Sequence, residues 1–147
     1  RLCTGLLAGE QADGAFREQV LALEWLNNVR RKLRVAAAVA RRVAGGQTVV
    51  VMSPLADGVA RGVTSLAQLM LDPYYRTRRG FAVLVEKEWF STVGVFGSVA
   101  ENDEVNRDVA SVAPWVEFLD CVWQLWQSAQ DAFEFSERYL LELVQAA

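Results

Sequence analysis

The chain has 147 residues, 52% of them hydrophobic, with a formal net charge of −3 and a pI near 5.0. This composition can fill the core of one domain and implies a substantial core rather than a disordered chain, while its acidity argues against a nucleic-acid-binding domain. It contains no histidine, which removes the commonest general base and metal ligand, and with them most Ser-His, Cys-His and zinc-hydrolase mechanisms.

Residues Leu2 to Gly14 show no periodicity and read as loop. From Phe16 to Ala44 a long helix is predicted. Ala22, Leu26, Val29, Leu33, Ala36, Ala40 and Val43 alternate four- and three-residue steps along one apolar stripe. The alanines in that stripe predict close packing on a sheet, and Gly45-Gly46 ends the helix. Thr48 to Met52 (TVVVM) reads as a short buried strand, Ser53 to Gly62 (SPLADGVARG) as a small-residue loop, and Val63 to Leu71 as a central helix apolar on nearly all sides. Asp72-Pro73 stops that helix. Gly80 to Val93 is predicted helical, with Phe81, Val85 and Trp89 at four-residue steps. The polar stretch 97–113 reads as a flexible surface loop. Pro114 then opens a fourth helix in the favoured first-turn position, with Trp115, Leu119, Val122 and Trp126 on one face. Ser136 to Val144 forms a shorter last helix.

The strand, loop and helix around residue 53 form the candidate site. A small-residue loop at a helix N-terminus turns backbone N–H groups toward an anion, with the helix dipole behind them. Cysteine-dependent phosphatases use that geometry with a thiolate opening the loop and an arginine closing it six positions later. Arg61 suits the closing place, but the residue six positions earlier is Leu55. Pro54 removes one N–H donor, and Leu55 puts bulk where an anion would sit. Ser53 is no ready substitute, because a serine hydroxyl needs a base or metal and no carboxylate adjoins it.

Other groups have plainer readings. The basic clusters Arg30, Arg31, Lys32, Arg34, Arg41, Arg42 and Arg76, Arg78, Arg79 read as solvated faces. The alternative is a patch for anionic lipid headgroups. Trp25, Trp89, Trp115, Trp123, Phe133 and Phe135 read as core. Cys3 and Cys121 fit no zinc spacing, and Cys121, in an apolar run, reads as a buried structural thiol. Neither a cofactor nor a metal is expected. No apolar run approaches the ~18 residues of a membrane span, no secretory signal is visible, and a chain opening on Arg1 reads as part of something longer.

Five blocks together carry a resemblance: Glu24-Trp25-Leu26, then TSLAQLMLDPYYRT (Thr64 to Thr77), GFAVLVEKEW (Gly80 to Trp89), FLDCVWQ (Phe118 to Gln124) and AFEFSERYL (Ala132 to Leu140). In this order and spacing the chain resembles the myotubularin phosphoinositide phosphatases. The resemblance implies an α/β cysteine-phosphatase-like fold. Residues 1–147 would be the C-terminal part of the phosphatase domain, incomplete at both ends and contributing one central strand to a mostly helical remainder. Active members carry Cys-Ser-Asp-Gly-Trp-Asp-Arg in the loop. Counting back from Thr64 without gaps puts Ser53 at the cysteine and Val59 at the arginine. A compensated two-residue shift instead matches Asp57, Gly58 and Arg61, with Leu55 at the cysteine and Ala60 at the acid, and is preferred for its three matches. Both registers lack the nucleophile and the acid aspartate. Asp57, Gly58 and Arg61 would then be the vestige of a phosphate cradle. The resemblance implies an inactive adaptor that pairs with an active family phosphatase in a hetero-oligomer, cytoplasmic and peripheral on endosomal phosphoinositide membranes. The alternatives are an active phosphatidylinositol 3-phosphate phosphatase whose loop the sequence misreports, or a phosphoinositide-binding module without catalysis.

Overall fold

A computed structural model describes residue 18 and residues 25–53, 57–90 and 104–145; for Asp57 and residues 104–113 it describes the backbone alone. The first helix, α1 (Trp25–Ala44), is followed by α2 (Asp57–Leu71), α3 (Arg78–Val85), α4 (Glu104–Ser128) and α5 (Glu137–Gln145). A 3-10 turn (Pro73–Arg76) joins α2 to α3, a π-helical turn (Glu86–Phe90) continues α3, and a second 3-10 turn (Gln130–Ala132) precedes α5. Among the described residues there is no strand.

Several stop signals act as read. α1 ends in a Schellman motif: Gly46 takes φ 79°, its N–H donates to the Val43 carbonyl, and the Gln47 N–H donates to that of Arg42. After α2, the Asp72 carboxylate accepts from the Tyr74 N–H at 2.8 Å and Pro73 opens the 3-10 turn, where its missing N–H ends the α-helical run. Thr77 caps α3 by accepting from the Gly80 N–H at 2.9 Å.

The core lies where α2, α3 and the second half of α4 meet. Leu66, Leu69, Phe81, Leu84, Phe118, Leu119 and Val122 are fully buried. Aromatic rings run through it in tilted and edge-on pairs, Trp89–Phe118 at 5.0 Å, Trp89–Trp115 at 5.1 Å and Phe81–Phe135 at 4.8 Å between centroids. Such pairs add about 0.5–1.5 kcal/mol each beyond the area they bury. Leu140 on α5 closes the far end. Of the aromatics read as core, Trp89, Trp115, Trp123 and Phe135 are buried and Trp25 and Phe133 half-buried.

The structure departs from the sequence reading in five places. First, α1 packs on α2 and α4 rather than on a sheet. Its inward line is Val29, Lys32, Ala36 and Ala40, while Leu26 and Val43 face outward. Lys32 turns inward because Glu117 neutralises it, which hydropathy alone does not reveal. Second, Thr48 to Met52 forms no strand. The segment keeps the alternation of one, with Val49 and Val51 half-buried and Val50 and Met52 exposed, but no neighbouring strand among the described residues completes a ladder. Third, the helix placed at Val63 starts at Asp57. Fourth, α4 begins at Glu104, so its described part replaces the end of the expected 97–113 loop, and Pro114 lies inside the helix. An interior proline forfeits one backbone hydrogen bond; here its ring packs on Gly58 and the next turns bury Trp115, Phe118 and Leu119. Fifth, the third helix starts at Arg78 and widens to a π turn from Glu86. Residues 2–14, most of 16–24, and residues 91–103 lie outside the described residues.

Candidate functional site

The segment that would cradle an anion is mostly helix. Asp57, Gly58, Ala60, Arg61 and Gly62, all expected in the loop, occupy the first two turns of α2. Pro54, Leu55 and Ala56 lie outside the described residues, and Ser53 is half-buried just before them. In a helix the N–H groups of its first four residues have no partner within it, and residues 57–60 hold those positions in α2. Arg61 lies one turn further along.

Arg61 has a partner of its own. Its guanidinium carbon sits 5.6 Å from the centroid of the Trp89 ring, a cation–π contact tying α2 to the π turn. Its carbonyl accepts from the Thr64 hydroxyl at 3.0 Å. Val59, the arginine position in the ungapped register, is 41% exposed.

Gly58 is set by packing. A Cβ there would lie 2.7 Å from Cβ and 3.0 Å from Cγ of Pro114. The pyrrolidine ring cannot swing away, so the close approach of α2 to α4 requires glycine. A helix-interior Gly→Ala change ordinarily stabilises by about 1 kcal/mol; at Gly58 overpacking of about 1–3 kcal/mol outweighs that gain. Gly58→Ala is therefore expected to lower the urea midpoint of unfolding, and a raised midpoint would contradict the packing described.

Beneath the first two turns of α2 lies a buried ion pair. Lys32 Nζ donates to Glu117 Oε2 at 2.6 Å, with both side chains largely out of solvent, and the lysine's stem runs under Gly62. Nearby, the Trp25 indole N–H donates to Asp120 Oδ2 at 2.7 Å, and Gln124 donates to the other carboxylate oxygen. The Lys32–Glu117 and Trp25–Asp120 contacts join α1 to α4. They were missed in the sequence, where the one available signal was a lysine standing three residues after Val29 and four before Ala36 on the inward face.

Cys121 is fully buried, and its thiol donates to the Val29 carbonyl at 3.8 Å. Burial pushes its pKa up to about 12, a rise that nearby Glu117 and Asp120 reinforce and Lys32 opposes. The thiol therefore stays protonated at neutral pH, as a structural cysteine should. Iodoacetamide at pH 7.5 is expected to leave Cys121 unmodified in the folded protein and to alkylate it after denaturation, read by peptide mass. Modification at equal rates in both states would contradict this burial.

Among the described residues no group of histidine, cysteine and carboxylate side chains could hold a metal, and no helix is long and apolar enough to cross a membrane. What the region offers chemically is the first turn of α2, an arginine engaged with a tryptophan, and a serine with no histidine anywhere in the sequence to act as its base.

Comparison with known proteins gives the lineage. The family described as "Myotubularin-like phosphatase domain" matches residues 2–147. Myotubularin of Xenopus laevis is 42% identical over 123 residues, covering 82% of this chain and 20% of that protein. The phosphatidylinositol-3,5-bisphosphate 3-phosphatase MTMR6 of Caenorhabditis elegans is 40% identical over 126 residues, covering 81% and 18%. The phosphatidylinositol-3,5-bisphosphate 3-phosphatase MTMR2 of Bos taurus is 43% identical over 132 residues, covering 82% and 20%. The chain thus spans about a fifth of the length of the curated relatives it matches.

Proposed function

The chain belongs to the myotubularin-like phosphatase family, and from that premise we propose that it is part of a catalytically inactive phosphatase domain, an adaptor that binds and regulates an active phosphoinositide 3-phosphatase. The observation that carries this reading is chemical. No thiol stands between Met52 and Arg61, where the nucleophile belongs, and no histidine exists to activate Ser53. Two relatives are named as phosphatidylinositol-3,5-bisphosphate 3-phosphatases, so the lost activity would be removal of a 3-phosphate from an inositol lipid. Peripheral residence on endosomal membranes, in the cytoplasm, is part of the same proposal.

The geometry bears on which register holds. The shifted register needs two residues fewer between Arg61 and Thr64, inside a helix that runs unbroken from Asp57 to Leu71. Two residues rotate a helix by about 200°, and a deletion there would turn the buried face of Leu66 and Leu69 outward unless a bulge absorbed it. The unbroken helix therefore favours the ungapped register, with Ser53 at the nucleophile's place and Val59 at the arginine's. Identity counting prefers the other.

Thiol chemistry separates the two. In the ungapped register Ser53→Cys places a thiol before the N-terminus of α2, where helix N–H groups lower a thiol pKa. Ser53→Cys is expected to react with iodoacetamide near neutral pH at least several-fold faster than Leu55→Cys. The reverse order would restore the shifted register, and equal, ordinary reactivity would mean that no anion cradle survives. The adaptor role is tested by mixing the intact protein with an active myotubularin-family phosphatase. Co-elution with altered turnover is expected; independent migration with unchanged turnover would refute it.

A further inference from the structure

Helix α1, the last turn of α2 and the end of α4 enclose a groove of about 500 Å³. Its apolar side is made by Leu26, Leu33, Met70 and Leu125, and Arg30 and Arg34 stand along α1 beside it. Leu26 is 55% exposed. Among the described residues Arg30 and Arg34 have no acidic partner; the ion pairs there use Lys32, Lys87 and Arg138. Two like charges one helical turn apart repel, and an acidic group placed between them removes that repulsion.

The dimensions indicate the occupant. Along α1 the lining runs from Leu26 to Ala37, about 16 Å or three turns at 1.5 Å per residue. A three-turn apolar trough beside a positive edge is the complement of an amphipathic helix with apolar residues at i, i+3 or i+4 and i+7 and acids flanking them. A bilayer is flat on this scale; it would meet the arginines and leave the concave floor uncovered. We propose that this groove docks an acidic amphipathic helix from a second protein. The adaptor reading enters only in naming a second protein as the source of that helix.

The test places p-benzoylphenylalanine at position 26 of the intact protein in cells, followed by irradiation and mapping of the cross-linked peptide by mass spectrometry. The expected adduct is a segment of another protein with helical apolar spacing and flanking Asp or Glu. Arg30→Glu with Arg34→Glu should cut its yield at least ten-fold while leaving thermal unfolding unchanged, since both arginines are exposed. Converting the captured segment's acids to lysine should restore the adduct in that charge-reversed protein. Adducts to lipid or to the protein's own residues, absence of any adduct, or an adduct indifferent to charge reversal would each overturn the proposal. A parallel assay of phosphatidylinositol 3-phosphate turnover separates the two readings. Turnover together with the acidic adduct sinks the inactive assignment and leaves the groove; no turnover and no adduct sinks the groove alone.

Discussion

Lys32→Ala is expected to cost about 3–5 kcal/mol of folding stability, because it leaves the Glu117 carboxylate in the interior without its counter-charge. The side chains are 7% and 15% exposed, and Glu117 Oε1 has no hydrogen-bond partner to soften the loss. The cost belongs to the orphaned charge rather than to the pair. Replacing both partners, Lys32→Met with Glu117→Leu, is therefore expected to recover most of the stability or exceed it. The surface pair Arg138–Glu142, 87% and 59% exposed on α5, serves as the control, since its removal should cost under about 0.5 kcal/mol. Urea unfolding of the intact protein reads all three. A loss below about 1 kcal/mol for Lys32→Ala would mean that water reaches Glu117 and that α1 does not hold its place against α4.

What the sequence made legible follows local periodicity. Phe81, Val85 and Trp89 stand at four-residue steps, and all three are buried. Gly45-Gly46 and Asp72-Pro73 stop helices through bonds local to a few residues, so their signals travel with the sequence. Cys121 was legible for the same reason, as an apolar position in an apolar run. Contacts between elements were not. Lys32 reads as solvated until Glu117, 85 positions away, is seen beside it. Pro114 reads as a helix start until Gly58 shows why an interior proline fits. Thr48 to Met52 has the alternation of a strand, and a strand needs a neighbour that periodicity cannot supply. At the candidate site, small residues from Ser53 to Gly62 suggested a loop, yet from Asp57 onward they permit close approach of α2 to α4. Small side chains allow both, and only packing distinguishes them. Three of the five family blocks supply much of the buried core, Leu66 and Leu69 on α2, Phe81, Leu84 and Val85 on α3, and Phe118, Leu119 and Val122 on α4.

The largest effect expected of this protein is an absence. Phosphoryl transfer through a covalent intermediate needs a nucleophile that is ionised or deprotonated in the act, and Ser53 has neither a histidine nor an adjoining carboxylate to take its proton. Leu55 has no reactive atom. Loss of the nucleophile from a covalent enzyme lowers turnover by about a million-fold, which places any residual rate beneath the background of a lipid phosphatase assay. On the proposed reading the acid would be missing as well: the shifted register puts Ala60 at its place and the ungapped register Gly58. Restoring a cysteine alone should therefore not restore full turnover. The decisive measurement is phosphate release from phosphatidylinositol 3-phosphate by the intact, rigorously purified protein, with Ser53→Ala assayed beside it. The expected result is no release above the enzyme-free blank from either; release by the wild-type protein that persists through purification and disappears in Ser53→Ala would contradict the loss of catalysis.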